Sequence, residues 1–433
     1  VNGPAGTVSD PVVFRNCVLE GGAGRFGIYL YGNSGTIVSK VTNCTFTNGG
    51  VITGTSGAFT VDLAFDNNVV LVIAGGDLRA QGATTVTGSG NLGAGGVWPF
   101  PVAQQALRQL WTLTSDDTAV STGNQAIYDA TNGALLNVPG NDAVGVGTAT
   151  GAPATDILGA DRIRGVYADP GAFTVDKRTI TKIIDSTGAG DYTTFQLSEA
   201  STGTHSTNLV QRNEELVFET IPGQTVNETN HINAAGGPQT GPNNRIIWRC
   251  PDQLNRTLLL STSTIGGFLL KSPYVTIENI DMEGPKYQVN LSADSVDDVV
   301  GCLVRNGVFT ATGPTTCLTA SKNFTLNNGT QAEPNEFHNI VTSGPAAMST
   351  YWPTGSYGAT GAWVVYRNCT HKDGTSPAWS WESSSIRGTA FSTMEIYNCL
   401  NLSPAGGDCF QVPADLIGSG NVGNATAGTG SFT

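Results

Sequence analysis

Short apolar runs that end in asparagine recur along this chain at a nearly constant spacing. VTIEN, CLVRN, FHN, VVYRN and MEIYN end at Asn279, Asn306, Asn339, Asn368 and Asn398, with steps of 27, 33, 29 and 30 residues. VVFRN, KVTN and LAFDN repeat the pattern earlier and end at Asn16, Asn43 and Asn67. A pitch near thirty residues is too short for an independent domain and is typical of one coil of a solenoid.

Each repeat also contains one or two further apolar pieces of three to five residues, separated by Gly, Ser, Thr or Asn. Three short strands per coil fit this pattern, with side chains that alternate between the interior and solvent. An asparagine at the same turn of every coil can stack as a ladder of side-chain amides. An array of β-sandwiches is the alternative, but Asn-Gly turns rarely stand between two clean alternating strands here.

Composition and charge exclude several classes of fold and of function. The 433 residues are 39% apolar and only 13% charged, which indicates an ordered, turn-rich, all-β chain rather than a disordered or coiled-coil one. A net charge of −13 makes nucleic acid an improbable partner and repels polyanionic glycans. No apolar stretch is long enough for a membrane span. Without CxxC, HxH or HExxH patterns, we expect no metal and no cofactor.

Four of the eight cysteines directly follow a repeat asparagine. Equivalent positions in successive coils predict either small buried thiols or disulfides between stacked coils. The four are Cys17, Cys44, Cys369 and Cys399.

Two phrases carry a resemblance to a known family. STGAGDYTTFQ, at 186–196, resembles the opening of secreted or phage-borne right-handed parallel β-helix proteins, in which a short capping helix follows. DILGADRIRGVYADPGAF, at 156–173, is similar to the terminal phrase of bacterial surface β-helix proteins. The resemblance implies a right-handed parallel β-helix with short capping helices and long loops. The residues that match the second phrase are Asp156, Gly159, Arg162, Asp169, Gly171 and Ala172.

The order of these phrases is unexpected, because an ending precedes a beginning. Residues 1–175 are interpreted as the terminal coils and tail of one β-helix, and residues 176–433 as the start and main coils of a second. VVFRNC (12–17) resembles VVYRNC (364–369), and GSGNLG (88–93) resembles GSGNVG (418–423). A helix is expected near 101–110. The chain begins at Val1 without a Met, which is expected if a leader has been removed or if the chain is part of a longer one. The order of the phrases has two explanations, a window cut from a longer tandem protein or a subunit whose first part completes the solenoid of its neighbour.

Both explanations imply continuation from head to tail, since an open solenoid end exposes strand edges. We therefore predict a structural subunit of an extracellular, cell-surface or virion-associated fibre whose main partners are copies of itself. A glycan-binding adhesin, or a polysaccharide lyase or hydrolase, is the alternative.

No catalytic residue is assigned from the sequence. The acidic pairs Asp116-Asp117 and Asp297-Asp298 fit solvated turns better than a catalytic pair. Glu278, Asp281 and Glu283 fit the outer face of a strand. The densest mixed-charge stretch is the first place to look for a cleft, and it contains His371, Lys372, Asp373, Glu382 and Arg387.

Aromatic residues crowd the same region of the chain. Flat rings can stack on sugars or anchor a protein interface, although core packing explains such residues as well. The candidates for glycan or interface contact are Trp352, Tyr357, Trp363, Trp379 and Trp381.

Asn-x-Ser/Thr sequons permit N-glycosylation if the protein is secreted. Their number is near chance for a chain this rich in Asn, Ser and Thr. The candidate sites are Asn43, Asn227, Asn255, Asn290, Asn323, Asn328, Asn368 and Asn424.

Overall fold

The structure is a computed structural model and describes most of the repeat region of the chain. The described residues are 11–20, 28–32, 35–48, 51–55, 59–70, 79–80, 83–87, 92–93, 134–137, 144–145, 147–202, 208–234, 239–263, 266–293, 298–313, 316–322, 329–344, 346–351, 363–372, 379–382, 393–402, 410–411 and 416–423. The helix expected near 101–110 lies outside them.

The chain divides into two compact units. The first contains Val1–Arg178 and Val210–Glu214, and the second contains Thr179–Leu209 and Glu215–Thr433. The interpretation of these units as the end of one β-helix and the start of another remains a prediction.

Fourteen described strands precede residue 178. They are β1 (Val12–Arg15), β2 (Val18–Glu20), β3 (Ile28–Gly32), β4 (Gly35–Thr42), β5 (Thr45–Asn48), β6 (Val51–Thr55), β7 (Phe59–Asp66), β8 (Val69–Val70), β9 (Arg79–Ala80), β10 (Ala83–Thr87), β11 (Leu92–Gly93), β12 (Gly147–Thr148), β13 (Ile163–Arg164) and β14 (Tyr167–Ala168). The first eleven form three parallel stacks, ordered β1-β4-β7-β10, β2-β5-β8-β11 and β3-β6-β9. The last three form a small antiparallel sheet.

From residue 178 onward, the described elements are two short helices and 22 strands. They are β15 (Arg178–Ile184), α1 (Phe195–Ala200), α2 (Leu209–Arg212), β16 (Glu214–Thr220), β17 (Thr225–Glu228), β18 (Ile232–Ala234), β19 (Ile246–Arg249), β20 (Thr257–Ser261), β21 (Phe268–Leu270), β22 (Val275–Glu278), β23 (Ile280–Gly284), β24 (Val289–Ala293), β25 (Leu303–Ala311), β26 (Thr316–Lys322), β27 (Asn335–Ser343), β28 (Ala346–Tyr351), β29 (Trp363–Arg367), β30 (Thr370–Lys372), β31 (Trp379–Glu382), β32 (Thr393–Tyr397), β33 (Leu400–Asn401), β34 (Phe410–Gln411), β35 (Leu416–Ser419) and β36 (Val422–Gly423).

These strands again form three stacks, here called the first, second and third stacks of the second unit. The first runs β15-β16-β19-β22-β25-β27-β29-β32-β35, and the third runs β18-β21-β24-β26-β28-β31-β34. The second contains β17, β20, β23, β30, β33 and β36, with the later halves of β25 and β27 between β23 and β30. Each coil thus adds one strand to each stack, and the strands pair in parallel where the structure describes their register. The predicted all-β, parallel-strand architecture is confirmed.

The repeat asparagines lie at the corner between the first and second stacks. All eight have a left-handed backbone, with φ between 53° and 59°. Asparagine tolerates this conformation better than most residues. In the second unit the Nδ2 of Asn306 donates to the Oδ1 of Asn279 (3.1 Å), Asn339 to Asn306 (3.0 Å), and Asn368 to Asn339 (3.2 Å). The predicted amide ladder is therefore confirmed in this unit.

Inward-facing side chains of successive coils stack on one another. The rings of Phe218 and Trp248 lie 5.4 Å apart and nearly parallel, and those of Phe337 and Tyr366 lie 5.1 Å apart. A short helix follows the GDYT phrase as predicted, and its Phe195 packs edge-on against another ring of this core at 5.6 Å. None of the helices in the described part of the chain is long and apolar enough to cross a membrane.

The seven described cysteines are free thiols, six of them buried and Cys17 partly exposed. The prediction of small buried thiols at equivalent positions is confirmed for Cys44, Cys369 and Cys399, whereas Cys17 is a free thiol that is partly exposed. Cys409 lies outside the described residues. Burial raises the pKa of Cys302 and of Cys317 to about 11, because a thiolate is poorly solvated in the core.

The terminal phrase of the first unit folds around two buried carboxylates. Asp156 accepts hydrogen bonds from the backbone N–H groups of Leu158 (2.8 Å), Ala160 (2.9 Å) and Thr174 (2.9 Å). These bonds close the loop that begins the phrase.

The second carboxylate, Asp169, is fully buried. It forms a bidentate ion pair with Arg164, with two N–O distances of 2.7 Å, and accepts bonds from the N–H groups of Gly145 and Val175. Four donors satisfy this charge, which is what allows it to be buried.

Candidate functional site

One set of outward positions runs along the first stack of the second unit, and from Glu278 to Tyr397 each of them directly precedes a corner asparagine. The strand registers align these positions into one continuous row. Because side chains alternate along a strand, the neighbouring positions point into the core. From the start of the unit, the row contains Glu219, Arg249, Glu278, Arg305, His338, Arg367 and Tyr397.

In the early half of this row, from Glu219 to Arg305, oppositely charged side chains pair with one another. Arg249 lies 2.9 Å from Glu219, and Arg305 lies 3.0 Å from Glu278. All four side chains are partly exposed, so each pair stabilises the fold only slightly. With these charges matched, this half offers little to a ligand.

The later half carries a second row of outward positions, two residues earlier on each strand. Glu336, Val365 and Glu395 are in register there, and the Val365 side chain between the two glutamates is buried. At one strand spacing of about 4.8 Å, the two glutamates lie two strands apart, about 9.6 Å between their backbones.

Side chains of these two rows contact one another and their neighbours. The Nε2 of His338 lies 2.6 Å from the Oε2 of Glu336. The indole Nε1 of Trp363 donates to the Oε1 of Glu395 at 2.8 Å. The guanidinium of Arg367 lies over the ring of Tyr397, 5.0 Å from its centre. We call Glu336, His338, Trp363, Arg367, Glu395 and Tyr397 the acidic–aromatic face.

Electrostatics differ between members of the face. The hydrogen bond from His338 lowers the pKa of Glu336, and nearby Arg367 contributes in the same direction. Desolvation, followed by a hydrogen bond with Glu395, raises the pKa of Tyr397. At neutral pH the face therefore presents an ionised Glu336 beside a neutral phenol.

Of the predicted aromatic residues that the structure describes, only Trp363 belongs to this face. Trp379 and Trp381 lie on β31, in the third stack, and thus on a different sheet. Trp352 and Tyr357 lie outside the described residues. A role for these residues in glycan or interface contact remains a prediction.

The described residues of the mixed-charge stretch around His371, where a cleft was expected first, do not lie on one surface. His371 is completely buried, with its Nδ1 2.9 Å from the Oγ1 of Thr342 in the coil before. Lys372, one residue later, is exposed. Glu382 lies on β31, in the third stack, and Asp373 and Arg387 lie outside the described residues.

The sequons occupy varied surroundings. Asn227, Asn255 and Asn368 are exposed, and Asn290 is partly exposed. Asn43 is fully buried, and its Nδ2 donates to the carbonyl of Asp169. The remaining three candidates, Asn323, Asn328 and Asn424, lie outside the described residues, and glycosylation remains a prediction at the accessible sites.

Sequence reasoning missed most of the acidic–aromatic face. The signal lies in the repeat itself, because EFHN and MEIYN place polar residues one and three positions before the corner asparagine, and VVYRN places Arg367 one position before it. Stacking these phrases on their asparagines brings the rows together. Within the described residues, no group of three or more His, Cys, Asp or Glu has the arrangement to hold a metal ion.

Comparisons with known proteins add little. No family model matches the sequence, and no curated protein is significantly similar to it. A search of solved structures finds the structure of sacteLam55A from Streptomyces sp. SirexAA-E, at 9% identity and a TM-score of 0.27, covering 95% of this chain and 75% of that one. A similarity this low supports no conclusion about function.

Proposed function

We propose that the parallel stacks of each unit wind into a right-handed parallel β-helix. Three strands per coil, one fixed asparagine corner and stacked core rings support this arrangement. A right-handed crossover between parallel strands is also the usual one in proteins.

On this scaffold we propose that the protein binds a glycan along the acidic–aromatic face. The observation that carries the proposal is the pair of in-register glutamates, two strands apart, with Trp363 and Arg367 beside them. Aromatic rings stack on the apolar faces of sugar rings, and carboxylates accept hydrogen bonds from sugar hydroxyls.

Charge narrows the ligand class to neutral, hydroxyl-rich oligosaccharides. Arg367 and His338 do not outnumber the carboxylates of Glu336 and Glu395 on this face, and the chain carries a net charge of −13. A polyanionic glycan would be repelled over most of the surface. A neutral sugar avoids that cost and still engages both carboxylates.

The test is binding of the full chain to a panel of neutral oligosaccharides, followed by titration calorimetry on each hit. We expect Trp363→Ala to weaken binding at least about tenfold, and Glu336→Gln and Glu395→Gln to weaken it by a similar factor. Arg249→Gln is the matched control, because it alters the self-paired half of the same row and should leave affinity unchanged. Binding that survives both Trp363→Ala and Glu336→Gln contradicts the proposal.

The same panel separates binding from hydrolysis. The backbones of the two glutamates lie about 9.6 Å apart, so their side chains can reach the carboxyl separation of inverting glycosidases, about 6.5–9.5 Å. Turnover that disappears in both Glu336→Gln and Glu395→Gln would assign a hydrolase. Binding without turnover would assign an adhesin-like role.

A structural role in an extracellular or virion-associated fibre is the second candidate. It is favoured by the regular register that continues to the last described strands, β35 and β36, which pair in parallel with the coil before them. Such a stack can accept a further coil from another copy. Electron microscopy and light scattering of the full chain over a wide concentration range test this role, and a monomer at every concentration would exclude it.

A further inference from the structure

In the first unit, the terminal segment 144–175 covers the row of corner asparagines. The Nδ2 of Asn16 donates to the carbonyl of Thr155 (2.7 Å), and that of Asn43 to the carbonyl of Asp169 (3.0 Å). Asn67 exchanges two bonds with the backbone of Thr148, at 2.8 and 2.9 Å. In this unit the amides thus bind the segment, whereas in the second unit they bind one another.

The Gly171–Ala172 step of the segment packs against the middle and last corners. The N–H of Ala172 donates to the Oγ1 of Thr45 (2.9 Å), and the N–H of Gly171 donates to the carbonyl of Asn67 (2.7 Å). Gly171 has a φ of +86°, and a Cβ on it would lie 2.7 Å from that Oγ1 and 2.9 Å from a methyl of Val69. Only glycine fits here.

A buried arginine fastens the same segment to the first corner. The Nη1 of Arg162 donates to the carbonyls of Asp169 and Gly171, and its Nη2 donates to the carbonyl of Ala172 and to the Oδ1 of Asn16. The phrase at 156–173 therefore binds all three stacked asparagine corners of the first unit.

We call the three asparagine corners, with the residues two positions after them, the footprint of this segment. The second unit contains the same footprint. In each unit, three consecutive asparagine corners precede a GSGN phrase, and the residues two positions after them correspond in order. Val18, Thr45 and Val69 in the first unit correspond to Val341, Thr370 and Leu400 in the second. The threonine that receives the N–H of Ala172 thus recurs at the middle corner.

The backbones of the two footprints match as well. The φ angles are 53°, 53° and 54° at Asn16, Asn43 and Asn67, and 53° at each of the corresponding residues. Val69 donates its N–H to the carbonyl of Cys44 (2.9 Å), just as Leu400 donates to that of Cys369 (2.8 Å).

Exposure separates the two footprints. Asn43 and Asn67 are completely buried beneath the terminal segment. In the second unit all three corner residues are exposed. They are Asn339, Asn368 and Asn398.

We propose that this second row of corners is a docking site for another polypeptide segment of the same chemistry as 144–175. Binding would turn the amides of Asn339 and Asn368 from their neighbours toward the carbonyls of the incoming segment. This exchanges one set of neutral hydrogen bonds for another, while the Gly-Ala step covers Thr370 and Leu400. The site is separate from the glycan proposal, because it uses the corner rather than the outer face of the first stack.

The first test titrates a fluorescent synthetic peptide of residues 144–176 into the full chain. We expect one saturable site, weakened at least about tenfold by Asn368→Gly or Thr370→Val. Both changes keep the local backbone, and circular dichroism of each variant verifies the fold. A peptide with Gly171→Val, whose side chain would clash, should not bind, and Asn227→Ala in the protein is the matched control.

A second measurement offsets the cost of ordering a free peptide by tethering it. The same segment is fused after Thr433 through a flexible linker, which raises its effective concentration to about the millimolar range. Hydrogen exchange should then slow at Asn368–Thr370, and the Gly171→Val fusion should not slow it. The proposal is overturned if neither format shows an effect, or if binding responds to Asn43→Gly and not to Asn368→Gly. Trp363→Ala should leave peptide binding intact, so failure here is distinct from failure of the glycan proposal.

Discussion

Replacing Asn306 tests why asparagine recurs at the corners. Its Nδ2 donates to Asn279, its Oδ1 accepts from Asn339, and its φ is +59°. Asn306→Gly keeps the left-handed backbone and loses two hydrogen bonds in a partly exposed place, about 1–2 kcal/mol in the free energy of unfolding. Asn306→Ala loses the same bonds and adds about 1 kcal/mol for a Cβ in this conformation.

Asparagine, glycine and alanine should therefore rank in that order of stability. Asn306→Asp falls between asparagine and alanine, because a carboxylate tolerates this backbone and still accepts from Asn339 but cannot donate to Asn279. Urea unfolding followed by circular dichroism measures the series, with both midpoint and slope compared because a long stack need not unfold in two states. Asn227→Ala, at an exposed strand position, should stay within about 0.5 kcal/mol of the parent chain. Equal stability of the glycine and alanine variants would refute the backbone part of this reasoning, and no loss in either would refute both parts.

Three further measurements address buried charges and thiols. Arg164→Met leaves buried Asp169 without its bidentate partner, so urea unfolding of the first unit should show a loss of about 3–5 kcal/mol. Burial raises the pKa of Glu199 to about 7, so its ionisation opposes folding. Stability should fall as pH rises from about 4.3, the usual value in unfolded chains, through 7, and Glu199→Gln should reduce this slope in a pH series of thermal melts. At about pH 8, Ellman's reagent should react with partly exposed Cys17 in the folded chain but with Cys302 only after unfolding, because burial raises the pKa of Cys302.

The corners of the fold could be read from the sequence because one residue type marks them. A left-handed turn that repeats in every coil favours asparagine on backbone grounds alone. Where no other segment covers the corner, its amide bonds to the same position one coil away. Asn279, Asn306, Asn339 and Asn368 were therefore predictable as a ladder. The partners of Asn16, Asn43 and Asn67 were not, because they belong to a segment more than 80 residues later in the chain.

The acidic–aromatic face escaped prediction for a related reason. Charge density along the chain pointed to the stretch around His371, but neighbours in a stacked fold are about one coil apart. His371 contacts Thr342, 29 residues away, and Trp363 contacts Glu395, 32 residues away. Which side of the strand each residue faces depends on where the corner falls. Counting back from the corner asparagines therefore shows which residues face outward.

The fixed corner also bears on how such a chain can change in evolution. The coils from Asn279 to Asn306 and from Asn306 to Asn339 span 27 and 33 residues, yet β22, β25 and β27 keep the same parallel register. Insertions and deletions are thus absorbed between strands without moving the corner. Length can be gained or lost by whole coils, from one asparagine to the next, so relatives should differ in coil number before they differ in cross-section.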